Sequence, residues 1–89
     1  MLFLKLNVPE DVNKFCNICT KYKEKMEVDV KYGRYVIDGC SVLAVSSLIG
    51  KLMKICPRTD DELLLTYFVK DVEDMGGYTI KNKNKIDVS

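Results

Sequence analysis

The chain contains no histidine and no tryptophan. Without an imidazole it has no histidine general base, no phosphohistidine and no histidine metal ligand. It also lacks a strong charge of either sign. Fourteen basic and 13 acidic residues leave a formal charge of +1, so electrostatics give no case for nucleic acid or an anionic membrane surface. Long hydrophobic runs are missing as well, since polar residues interrupt every apolar stretch short of membrane-spanning length. The opening "MLFLKLN" is too short for an export signal and has no cleavage region, which makes the cytosol the expected compartment. No phosphate-binding glycine loop and no nucleophile–base pair appear, so an enzyme is not expected and no cofactor is implied.

What is present suits one small domain. Of 89 residues, 47% are hydrophobic and 30% charged, a normal balance for a globular chain. A core is attainable at this length if it is efficient. There is no internal repeat, linker or low-complexity block.

Hydrophobic periodicity orders the chain. In "LFLKLN" Leu2, Leu4 and Leu6 alternate with Phe3 and Lys5, a strand pattern. Pro9, Glu10 and Asp11 suit the first turn of a helix. Val12, Phe15, Cys16, Cys19 and Tyr22 then recur at helical spacing with Ile18 beside them, and "KYKEKM" carries that helix out to solvent. "EVDVKYGRYVID" reads as a hairpin turning at Gly33, with Tyr35 to Ile37 returning. Ser41 caps a short helix over "SVLAVSSLI", whose apolar residues include Val42, Val45 and Ile49. Gly50 closes it. "KLMKICP" forms a fourth strand that Pro57 stops. "TDDE" starts the last helix, capped by Thr59 or Asp60. Leu64, Phe68, Val72 and Met75 follow at helical intervals before "GG" at 76–77. The polar tail either frays or adds an edge strand through Tyr78 and Ile80. The order β-α-β-β-α-β-α predicts an α+β two-layer sandwich with helices on one face of a four-stranded sheet.

Chemistry-bearing residues are few. Cys16 and Cys19 form a C-x-x-C, a pattern of redox pairs and half-sites for zinc. Both also fall on the apolar stripe of the first helix, and no second pair with ligand spacing accompanies them. Core packing is therefore the simpler reading. Cys40 precedes a helix start, where a thiolate gains some stabilisation. A thiol-based redox or metal-responsive protein using Cys16, Cys19 and Cys40 is one functional reading. Asp60, Asp61 and Glu62 are more simply compensation of a helix dipole than a metal site. The lysines of "KNKNK" read as a solvated tail.

The order of elements, with "GRYVIDGCSVLAVSSL" at its centre and "TDDELL" opening the last helix, resembles the HPr family of bacterial phosphocarrier proteins. The most specific part is "IDGCSVLAVSSL", Ile37 to Leu48, which is similar to the family's "VDxKSIxGxxSL"-like segment. "FCNICTKY" at Phe15 to Tyr22 supports it. The resemblance covers residues 1–75 as one HPr-like domain and leaves 76–89 as a tail. It implies an open-faced β-sandwich with antiparallel order 1-4-2-3. It also implies a role in the sugar phosphotransferase system, where a histidine at the start of the first helix relays phosphate and an arginine stands nearby. Here "VPED" occupies that place, with Val8 at the histidine position and Glu10 at the arginine position. Valine offers no nucleophile, so the resemblance is to a histidine-less paralogue, similar to the catabolite-repression HPr-like proteins, and not to a competent carrier.

The family's second site is the serine of "KSI", phosphorylated by a dedicated kinase and then bound by a transcriptional regulator. Ser41 matches it. The resemblance thus implies a protein-binding regulatory module in sugar uptake or carbon regulation, with that kinase and a regulator or phosphotransferase component as partners. Cys40, Val42, Leu43 and Val45 are the candidate contacts. Cys40 stands where the family usually has lysine, and Ala44 where glycine is common. The other reading of Ser41 is a helix cap and nothing more. A monomer or a homodimer is expected, without nucleic acid or membrane insertion.

Overall fold

The computed structural model describes residues 1–80. Its elements run β1 (Leu2–Lys5), α1 (Pro9–Tyr22), β2 (Glu27–Tyr32), β3 (Tyr35–Asp38), α2 (Val42–Ser46), β4 (Leu52–Arg58), α3 (Glu62–Asp74) and β5 (Tyr78–Thr79). The fold is α+β, with one antiparallel sheet in the order β3-β2-β4-β1-β5. The sheet has five strands where four were expected. The fifth comes from the tail: Phe3 faces Tyr78 and Leu2 faces Thr79. Met1 and Ile80 then exchange backbone hydrogen bonds of 2.9 and 2.8 Å. The rest of the expected tail, from residue 81, lies outside the described residues. None of the described helices is long and apolar enough to cross a membrane.

Strict alternation gives the sheet two unlike faces. Leu2, Leu4, Val28, Val30, Met53 and Ile55 are buried on one face, and they meet the α1 stripe Val12, Phe15, Cys16, Cys19 and Tyr22. Phe68 and Val72 of α3 and Val45 of α2 complete the core. Phe3, Lys5, Asp29, Lys31, Lys54 and Cys56 alternate with those residues on the exposed or half-exposed face.

Three expectations require correction. Pro57 does not stop β4, which continues to Arg58. The Val28 carbonyl accepts from the Gly39 N–H at 2.9 Å, so the polar backbone of Val28 faces β3. The Val28–Pro57 pair is therefore a non-hydrogen-bonded one. The donor that proline lacks would face the side where β1 has already ended, at the Leu2–Ile55 pair, and edge positions tolerate proline. The second correction is at Met26, which is buried and not carried out to solvent. The N–H groups of Lys25 and Met26 both donate to the Tyr22 carbonyl at 2.9 Å, and this turn brings Met26 back onto the core. The third is the α3 cap. It is Asp61, whose Oδ1 accepts from Leu63 and Leu64 N–H at 3.1 Å, while Thr59 Oγ1 accepts from Asp61 N–H.

One polar cluster ties α1 to α3. The Tyr22 hydroxyl donates to Asp71 Oδ2 at 2.7 Å, and Lys21 Nζ reaches the same oxygen at 3.1 Å. The phenol's hydrogen bond, followed by the Lys21 ammonium, holds the Asp71 carboxyl below its ordinary 3.8. Asp11 is also lowered, by the backbone N–H groups of Asn7 and then Val8. A carboxyl lowered on folding adds stability that is fully present above its unfolded pKa. That stability is lost as pH falls through the folded value. Thermal midpoints measured from about pH 7 down to about pH 2 are thus expected to decline below the usual carboxylate range, and Asp71→Asn to flatten part of that decline. An unchanged slope in the variant would remove Asp71 from the account.

Candidate functional site

The two helix starts singled out by the sequence differ in kind. At α1, Val8 is extended and offers no side-chain cap. Asp11 supplies one from inside the helix: its Oδ2 accepts from Asn7 N–H at 2.9 Å and Val8 N–H at 3.2 Å. The Asp11 N–H returns a bond to the Val8 carbonyl at 2.9 Å. A carboxylate of the chain itself thus occupies the anion-favouring end of this helix, and Glu10 adds a second negative charge in the same turn. Val8 is 46% exposed and brings only hydrocarbon to the place.

At α2 the strand end, a turn and a cap follow in four residues, Asp38 to Ser41. The Asp38 Oδ1 accepts from Cys40 N–H at 2.9 Å, and the Asp38 carbonyl accepts from Ser41 N–H at 3.0 Å. This is an Asx-turn, in which a short carboxylate holds the backbone two residues on. Ser41 is extended, and its Oγ accepts from Ala44 N–H at 3.4 Å. Ser41 is therefore a helix cap, though a long one, and remains partly exposed. Beneath the turn, a Cβ added to Gly39 would lie 2.9 Å from Cys19 Sγ and 3.1 Å from the Val28 carbonyl oxygen. Glycine is what lets the turn sit directly on the core.

The proposed contact residues separate. Leu43 is 87% exposed and Val42 47%, so both stand on the surface beside Ser41. Cys40 is half-buried and packs against the core cluster. Val45 is fully buried and does not belong with them: one turn into α2, it points at the core between α1 and the sheet. Asp38, which organises the turn, was missed as a site residue. Its signal in the sequence is the "DG" at 38–39, a pair that favours turns. Asp38 and Cys40 also border a cleft of about 350 Å³ that reaches Lys23 and Val36.

Of the three thiols in the redox or metal reading, two lie in the core and Cys40 is half-buried. Cys16 and Cys19 are buried, and burial pushes both thiols up, which disfavours the thiolate that either chemistry needs. Among the described residues, no group of three or more Cys, Asp or Glu is arranged to hold a metal ion. No family model, no curated protein and no solved structure matches the chain.

Proposed function

We propose that this chain is an HPr-like, non-catalytic protein-binding module, in which the turn carrying Ser41 and the exposed Val42 and Leu43 forms the recognition surface. The observation that carries the reading is Leu43, an 87% exposed leucine next to a partly exposed serine. With Val42 beside it, Leu43 offers an apolar surface that a partner can cover. The element order and the run β3-β2-β4-β1 within the sheet support the resemblance to the phosphocarrier family. A carrier role is not part of the proposal. The chain has no histidine, and the α1 start already holds the Asp11 carboxylate.

In this reading Ser41 is the switch. Transfer of the γ-phosphoryl group of ATP to Ser41 Oγ releases ADP and adds close to two negative charges beside Leu43. The new phosphate oxygens then accept from a partner's arginines. Incubation with the serine kinase of the HPr family and ATP is expected to add one phosphoryl group by intact mass, located at Ser41. Ser41→Ala is expected to abolish it while costing at most about 1 kcal/mol of stability, because the cap bond is long. No mass gain, or modification at Ser46 or Ser47 instead, would remove the switch from the proposal.

A further inference from the structure

β3 is a free edge of the sheet, and the hydrogen-bond parity shows what it offers. Gly39 N–H donates to the Val28 carbonyl, so Val28–Gly39 is a hydrogen-bonded pair. Antiparallel alternation then makes Val30–Ile37 and Tyr32–Tyr35 hydrogen-bonded pairs too. The backbone groups of Val36 and Asp38 therefore point away from β2, off the edge. The Asp38 carbonyl is taken by Ser41 N–H at 3.0 Å. The Val36 N–H, the Val36 carbonyl and the Asp38 N–H have no partner among the described residues. The edge carries neither the lysine nor the proline that usually blunts such a strand, and Tyr35 and Val36 are 68% and 58% exposed.

The side chains add a charge pattern. Asp38 lies directly opposite Asp29 in the β2–β3 register, a like-charge pairing that destabilises a sheet. Arg58 relieves only the β2 member, with Nη1 3.1 Å from Asp29 and 3.8 Å from Glu27. One Asp38 oxygen caps Cys40 N–H, and no cation pairs with Asp38 among the described residues. Arg34 is the last residue of the tight turn, on the parity of Val36 and Asp38, and it too has no ion pair among the described residues.

We infer that β3 pairs antiparallel with β3 of a second copy of this chain about a two-fold axis at Val36, joining the two sheets into one. A two-fold axis perpendicular to a sheet must place residues of the same face opposite one another, which leaves few registers. Centring on Arg34 sets two arginines face to face, and centring on Asp38 sets two aspartates face to face. Centring on Val36 sets Arg34 opposite Asp38 of the second copy, twice by symmetry. In that register the two Val36 residues exchange N–H and C=O across the axis, and Tyr35 lies opposite Ile37 on the helix side. Asp38 N–H meets the Arg34 carbonyl, and the Asp38 carboxylate gains the cation that its own sheet does not supply. Main-chain bonds give this kind of strand addition its affinity, and the side chains give its register.

Sedimentation or light scattering across a concentration series tests it. The mass is expected to rise from 10.2 kDa toward twice that value as the protein approaches about 1 mM, where even weak association is populated. Val36→Pro removes an N–H that faces away from β2, so the fold is expected to survive by circular dichroism while the mass stays at 10.2 kDa. Arg34→Glu puts a carboxylate opposite Asp38 at two places and is expected to weaken the dimer on the order of tenfold. A monomer at every concentration overturns the inference. So does a dimer that neither variant weakens, since it would be built on another surface.

Discussion

Phe68→Ala is expected to lower the free energy of unfolding by about 3–5 kcal/mol. Phe68 is fully buried at the centre of α3, and its removal leaves a cavity that a two-layer domain closes poorly. The ring also meets Tyr22 edge-on, with centroids 5.5 Å apart and planes at 85°, a geometry worth roughly 0.5–1.5 kcal/mol beyond burial. Tyr22 in turn holds Asp71 through its hydroxyl at 2.7 Å, so the loss loosens the polar link between α1 and α3. Domains commonly carry about 0.05–0.15 kcal/mol per residue, and on that scale this one substitution removes a large share of the total. Urea unfolding checks it: the midpoint should fall sharply with little change in slope. Phe68→Leu should fall much less. A loss in Phe68→Ala below about 1 kcal/mol would mean that α3 is not packed as described.

Gly39→Ala is the second large effect, expected at about 1–3 kcal/mol because it overpacks the core. The new methyl group would stand 2.9 Å from Cys19 Sγ, 3.1 Å from the Val28 oxygen and 3.2 Å from Val28 Cγ1. The sulfur can be removed by mutation. The carbonyl is fixed, because it is the acceptor of the Gly39 N–H itself. In a double-mutant cycle, Cys19→Ala should therefore recover part of the loss, and the pair should cost less than the sum of the singles. Strict additivity in thermal midpoints would mean that the sulfur does not limit the turn. Gly39 lies two residues before Ser41, so the variant also shows how far the position of the serine depends on the core beneath it.

Much of the fold was legible because it is periodic. The five α1 residues read at helical spacing are the five buried ones, and the alternating Leu2, Leu4 and Leu6 are all buried. Competing local signals hid other features. "TDDE" offers three side chains that can cap, and only the extended backbone at Asp61 selects among them. Pro57 is a stop signal in isolation, but the register places it where no donor is needed. α2 has five residues, too few for a stripe, so Val45 and Val42 could not be told apart until one was seen inside and the other outside. At the site, Ser41 as a cap followed from residue type. Asp38 and Asp11 did not, because a carboxylate that folds back on its own backbone looks in sequence like any exposed acid.

The bond from Asp11 to Asn7 and Val8 makes the two helix starts unequal in time as well as in charge. The anion at α1 is covalently part of the chain and is delivered with every molecule synthesised, so that end of the domain holds one constant setting. The hydroxyl at α2 is neutral as made, and in the proposed reading a kinase adds charge to it after folding. A histidine placed at position 8 would still stand beside the Glu10 and Asp11 carboxylates, whose charge opposes an incoming phosphoryl group. In the proposed reading the variable charge of the domain sits at the Ser41 end, three residues beyond the last residue of the free edge strand β3.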